Sequence, residues 1–219
     1  MEIKEIKEHY RENRKEIEER IREFRDLEEA DEERIFQELV FVILTSQTEA
    51  EKAWKAALEL EEKDILLEGA RKEIQDVLEK EQVQYSESKA NYIVENRNSL
   101  TQPTLENPEK GLKLKRQIWD REPEKSRKWL VKNIKGLSWK GASHFLRNVG
   151  RGEDFAIISG HIVRKLHQLG LIEEPELPED REEYIEYERK LRGFSEDIDI
   201  SLEELDLVLW SMETGEIFK

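Results

Sequence analysis

The chain has 219 residues, 37% hydrophobic and 41% charged, with a net charge of −15. That length buries a real core in one large or two small domains, and no apolar run nears the roughly 20 residues of a membrane span. Cysteine is absent, which excludes disulfides, thiolate zinc sites and cysteine-ligated iron–sulfur clusters.

The N-terminus is charged from Glu2 onward, so no signal peptide is expected and a cytoplasmic location is the default. Residues 2–29 form a Glu/Lys/Arg-rich helix with sparse apolar positions Ile3, Ile6, Tyr10, Ile17, Ile21 and Phe24. A second helix begins near Asp31 and runs through the apolar stretch Leu39 to Leu44, ending about Thr45. Thr48-Glu49-Ala50-Glu51 has the spacing of a capping box and opens a helix burying Ala53, Trp54, Ala57 and Leu58. Further helices are expected at 66–81 and 86–98. Pro103 and Pro108 mark a loop, the best place for a crossing between domains. Helices follow at 109–121, 124–134, 140–149 and 159–169. Pro175 and Pro178 interrupt the chain before a long helix at 179–193. Ser201-Leu202-Glu203-Glu204 is a second capping box, opening a last helix through Trp210 and Met212 that Gly215 ends. No segment has a strand period, so the fold class is all-α.

Residues 133–150 are the most informative. A helix ending at Ile134 meets a tight turn, Lys135-Gly136-Leu137-Ser138. A second helix then starts near Trp139 with Ala142, Phe145, Leu146 and Val149 on its apolar face. This is a helix–hairpin–helix, whose turn aims backbone N–H groups outward at a helix N-terminus, a natural phosphate site. Lys140 stands on the first turn of that second helix. The charge distribution agrees. Residues 110–151 hold 13 Lys and Arg against three acids, a local excess of ten positive charges, which leaves the remainder at −25. Trp119, Trp129 and Trp139 interleave with these cations, as on a phosphate-facing surface. A solvated helical face with incidental lysines is the alternative. Four scattered histidines and no dense carboxylate set give no metal signal, and no cofactor is expected.

These residues resemble the helix–hairpin–helix DNA glycosylases, most closely the archaeal 8-oxoguanine DNA glycosylase/AP lyases of the second Ogg type. Five stretches carry the resemblance over nearly the whole chain: Leu39 to Thr48, Ser88 to Val94, Asn133 to Gly150, Ala156 to Ile162, and Leu205 to Trp210 with Thr214-Gly215 and Lys219. It implies two helical subdomains with a DNA-binding cleft. The expected division is 31–122 as a helical-barrel subdomain, with 1–30 and 123–219 as the helix–hairpin–helix subdomain. The implied partner is double-stranded DNA with a flipped damaged nucleotide or an AP site, bound by a monomer. Lys140 becomes the nucleophile at the sugar C1′, forming a Schiff base that permits strand cleavage. Gln47 fills the gap left by the flipped base, with a helix cap as its alternative role. Lys135, Gly136, Ser138 and Arg147 serve DNA binding. Trp210 and Lys219 contact the oxidised base, against a buried tryptophan and a frayed terminus. His144 reads as a packed or surface histidine.

Three positions depart from the family pattern. Ser159 stands where the family has its aspartate, and Gly160 where arginine is usual. A hydroxyl has no charge to stabilise a developing sugar cation; Asp154, Glu153 and His161 are the neighbours able to substitute. Ser138 replaces the hairpin's second glycine and fits only if its φ stays negative or the turn accepts strain. The expected function is therefore a glycosylase/AP lyase with weakened base excision. The alternatives are a DNA lesion or AP-site binding protein on the same fold, and a helical scaffold unrelated to DNA.

Overall fold

A computed structural model of the chain describes residues 3–102 and 111–219. Pro103, Pro108 and Lys110 lie outside the described residues, as does the expected start of the helix at 109. Among the described residues there are eleven α-helices and no strand: α1 Ile3–Asp26, α2 Glu32–Leu44, α3 Ala50–Glu62, α4 Arg71–Lys80, α5 Ser86–Thr101, α6 Leu114–Trp119, α7 Pro123–Asn133, α8 Trp139–Asn148, α9 Gly160–Gln168, α10 Arg181–Ile198 and α11 Leu202–Thr214. The chain divides into two compact units, residues 29–145 and residues 1–28 with 146–219. The expected division placed everything from residue 123 with the chain ends. The compact units instead divide inside α8, so the hairpin turn and Lys140 belong to the central unit.

The central unit is built around α2. Ten consecutive residues, Ile35 to Leu44, are buried, the pattern of a helix covered on all sides. Its two buried polar groups are satisfied: Gln37 donates to Ala57 O and Glu61, and Glu38 pairs with Arg34 at 3.0 Å. Asp31 caps the helix by accepting from Arg34 N at 2.8 Å, which satisfies one of its unpaired first-turn donors. Alanines 53, 56 and 57 line the buried face of α3, and Trp54 meets Phe41 edge-on at 5.4 Å. The Thr48 capping box does not form. The N-cap of α3 is Glu49 and makes no side-chain cap bond, because the Thr48 hydroxyl accepts from Gln84 N and Lys89 Nζ. Long-range partners have displaced the local one. α4 starts five residues later than expected. α7 opens with Pro123 at its first turn, where a missing N–H costs nothing.

The unit made of the chain ends centres on α11, which packs against α1, α9 and α10. The second capping box is present: Ser201 N donates to Glu204 at 3.1 Å, and Glu204 N returns to Ser201 Oγ at 3.4 Å. Gly215 ends α11 at φ +82. Inside this unit Arg147, 4% exposed, lies 3.7 Å from Asp206 and over the Phe24 ring. Burial pushes the Asp206 carboxyl up, and the Arg147 guanidinium draws it partly back down.

Removing one partner of a buried pair strands the other charge. Arg147→Met should therefore lose about 3–5 kcal/mol of stability at pH 7. The stranded Asp206 prefers its neutral form, so its folded pKa lies above the unfolded value. Such a group loses stability as pH rises through that folded pKa. The deficit should shrink on acidification toward pH 5, read by urea unfolding at both pH values. A deficit equal at both would contradict it.

Candidate DNA-facing site

The hairpin is fixed by α5. Asn96, 1% exposed, donates to Lys135 O at 3.0 Å and accepts from Lys135 N at 2.7 Å. One carboxamide thus satisfies both backbone groups of a single turn residue. Gly136 follows at φ +79, and a Cβ there would lie 2.6 Å from the Tyr92 ring. Glycine is required for both reasons. Ser138 is not in the left-handed region. Its hydroxyl accepts from Gly141 N at 3.2 Å and its carbonyl from Ala142 N at 2.8 Å. The serine therefore caps α8, and the turn tolerates it without strain.

Lys140 sits in the first turn of α8 and is half-buried. Desolvation pushes its amine below the ordinary lysine value, because burial penalises the charged form. Lys135 is exposed. Arg147 is occupied by Asp206 inside the end unit. Arg127 is likewise internal: it binds Glu124 and Ser143 and lies over Trp139. Among the described residues of the basic segment, the exposed cations are Arg116, Arg121, Lys125, Lys128, Lys132 and Lys135. His144 is buried against Phe41, ring centroids 5.8 Å apart.

Gln47 is exposed on the turn after α2 at φ +54. Its Oε1 accepts from the Tyr85 hydroxyl at 3.2 Å. It caps no helix, since α3 begins from Glu49.

In the end unit, residues 155–158 are a buried, non-helical lead into α9. Side chains of α10 satisfy its backbone: Glu188 accepts from Ala156 N at 3.0 Å, while Tyr184 donates to Ala156 O at 2.7 Å and accepts from Ile158 N. This delivers Ser159 to the N-cap of α9, where its Oγ accepts from Ile162 N at 3.4 Å. An aspartate is an equally good cap. The serine caps the helix and supplies no charge. At Gly160 a Cβ would meet only the tip of Arg164, at 3.7 Å, so a side chain fits there. Asp154 and Glu153 line an open groove of about 890 Å³ with Tyr10, Arg25, Arg192 and Glu203.

Trp210 of α11 is partly exposed, with His161 edge-on at 5.2 Å. Glu213, one turn on, pairs with Arg164 at 2.9 Å, His161 at 3.1 Å and Lys165 at 3.4 Å. Hydrogen bonds from these three hold its carboxyl at about 2. The tail beyond Gly215 is anchored by the buried Ile217, so Lys219 ends a seated segment rather than a frayed one.

Sequence reasoning missed Asn96 and Lys89 as fasteners of the turns. The signal was present: polar Lys89 and Asn96 share helical spacing with apolar Ile93 and Leu100, and the structure buries all four.

Comparison with known proteins fits this geometry. Residues 17–200 match the helix–hairpin–helix family model described as 8-oxoguanine DNA glycosylase. An 8-oxoguanine DNA glycosylase/AP lyase of Fusobacterium nucleatum is 37% identical over 98% of this chain and 96% of its own length. One from Methanocaldococcus jannaschii is 35% identical over 93% and 91%. The crystal structure of the Thermotoga maritima 8-oxoguanine DNA glycosylase superposes with a TM-score of 0.87 at 34% identity, covering 99% of this chain and 98% of that one. The M. jannaschii glycosylase/lyase, solved with a 15mer DNA containing 8-oxoguanine, gives 0.86 at 35% identity, covering 99% of both. The chain belongs to the 8-oxoguanine DNA glycosylase family of helix–hairpin–helix proteins.

Proposed function

We infer that this protein is a base-excision-repair glycosylase/AP lyase that acts on DNA carrying 8-oxoguanine or an AP site. We further read it as the second Ogg type, on the stretches Ser88 to Val94, Asn133 to Gly150 and Leu205 to Trp210 that resemble that type. The observation that carries the activity is a desolvated amine, Lys140, in the first turn of the hairpin's second helix. First-turn N–H groups lack intrahelical acceptors and favour a phosphate. The backbone bound there brings a flipped nucleotide's sugar to Lys140.

On an intact nucleotide the neutral amine forms a bond to C1′ as the bond to the base breaks, and the base leaves with the electron pair. Ring opening gives an iminium. On an AP site the amine adds to the open-chain aldehyde and water is lost, giving the same iminium. Loss of a C2′ proton then expels the 3′ phosphate. Only the first route builds positive charge on the sugar before the iminium forms. Ser159 offers that charge no carboxylate. Its absence costs on the order of 10²–10³ in rate, as for other transition-state electrostatic groups. The AP route needs only the unprotonated amine. Gln47 fills the gap in the duplex, and Trp210 and Lys219 receive the base. Lys135 and the hairpin N–H groups take the phosphates, while Arg147 acts through packing. Ser159 also favours a second function, a lesion-binding protein that has lost excision altogether.

Borohydride should trap the chain on AP-site duplex and far less on 8-oxoguanine duplex. Lys140→Gln should abolish both adducts. Ser159→Asp should raise base excision more than AP cleavage while leaving stability within about 0.5 kcal/mol, since both residues cap well. Robust excision by the unaltered chain would sink the split, and no adduct on AP-site DNA would favour the lesion-binding function.

AP cleavage should also rise with pH as Lys140 loses its proton, and level off below the ordinary lysine value of about 10.5. Lys140's folded pKa is lowered, so the ammonium form persists only at lower pH. A rate still climbing at pH 10.5 would contradict the desolvated amine.

Affinity for AP-site duplex should fall steeply with salt, because counterion release drives phosphate contacts. Lys135→Glu should weaken binding and flatten the salt slope. Deleting Lys219 should leave binding intact and narrow the contrast between 8-oxoguanine and guanine duplexes. Unchanged contrast on gel-resolved cleavage would remove the tail from the base pocket.

A further inference from the structure

One buried cation is used by nothing in this chemistry. Lys89, 4% exposed, lies in the first turn of α5. Its Nζ donates to Leu44 O at 2.9 Å, Ser46 O at 2.7 Å and Thr48 Oγ1 at 3.1 Å. An ammonium has three protons, and all three are engaged. Every acceptor lies in residues 44–48, the turn that carries Gln47. That turn is conformationally demanding. Gln47 is a non-glycine residue in the left-handed region, and so is its hydrogen-bond partner Tyr85, which is 63% exposed. Gln84 N adds a further bond to Thr48 Oγ1 at 3.0 Å. The charged side chains of the adjoining segments are paired elsewhere, Glu49 with Lys52 and Glu87 with Arg71. Burial pushes the Lys89 ammonium down to about 8. Filling space does not require a desolvated charge, and a methionine would pack there without it. The turn does require three donors converging from one point.

We propose that Lys89 is a positioning residue for nucleotide flipping: its ammonium locks the 44–48 turn so that Gln47 stands ready to enter the duplex. This rests on Gln47 as the gap-filling residue. Lys89 acts only through that turn, so its effect must vanish when the Gln47 side chain is gone.

The test uses full-length protein carrying Lys140→Gln, which stops chemistry, and a duplex with 2-aminopurine beside an 8-oxoguanine. Flipping unstacks the probe and raises its fluorescence. Lys89→Met should cut that rise at saturating protein at least about fivefold, the lower end for coupled sites. Gln47→Gly, which suits a positive φ, should cut it as well. The double variant should be no worse than Gln47→Gly alone. In the parent the signal should fall as pH rises through about 8, because the neutral amine has two protons for three acceptors. In Lys89→Met it should be flat over that range.

Additive losses would overturn the proposal, since Lys89 would then act outside the turn. A loss with Gln47→Gly but none with Lys89→Met would overturn it while leaving Gln47's role intact. No loss with Gln47→Gly would remove both. Should Lys89→Met fail to fold, Thr48→Val deletes one of the three acceptors at a half-buried position. It must then lower the signal, and an unchanged signal overturns the proposal.

Discussion

Three side chains on one face of α5 hold the two turns that meet DNA in the proposed function. Lys89, Tyr92 and Asn96 follow at spacings of three and four, so they project from the same side of the helix. Lys89 gathers three oxygens of the 44–48 turn. Tyr92 lies where a Cβ of Gly136 would go, and Asn96 closes both hydrogen bonds on Lys135. A lysine and an asparagine in a core are costly unless every donor is met. Here their acceptors are turn backbone and one turn hydroxyl, so the polar core and the shape of the turns are the same fact. Lys140 is set by this arrangement too, because α8 starts where the pinned turn ends.

The other unit shows how one position divides into two jobs. The residue at the start of α9 caps the helix, and the proposed function asks the same position for a negative charge. Ser159 does the first through Ile162 N. In the segment leading to it, Tyr184 and Glu188 of α10 hold the backbone of Ala156 and Ile158. Serine therefore fits the local backbone, and in the proposed function the consequence of the substitution is electrostatic. That is why the proposed activity loses base excision more than AP cleavage.

Much of this was legible in the chain. Helical spacing located the helices, and the hairpin was evident from Gly136 between two amphipathic segments. The Ser201 box was read correctly because both of its partners are local. The Thr48 box was not, because Gln84 and Lys89 reach it from 36 and 41 residues away, and no local pattern carries that information. Counting charges merged two kinds of cation. Lys135 is exposed, while Arg127 and Arg147 sit in ion pairs inside the protein. The division of the chain also escaped the sequence, because it falls within α8, where helical periodicity is unbroken. Ser159 could be flagged from sequence as a missing carboxylate, but its capping role needed the backbone.

In the proposed function the desolvated amine of Lys140, beside the pinned hairpin, is the nucleophile. Peptide mapping by mass spectrometry of the borohydride-reduced complex with AP-site DNA tests it most directly. The sugar remnant should be found on Lys140. A remnant on Lys135, Lys89 or any other lysine would contradict the account.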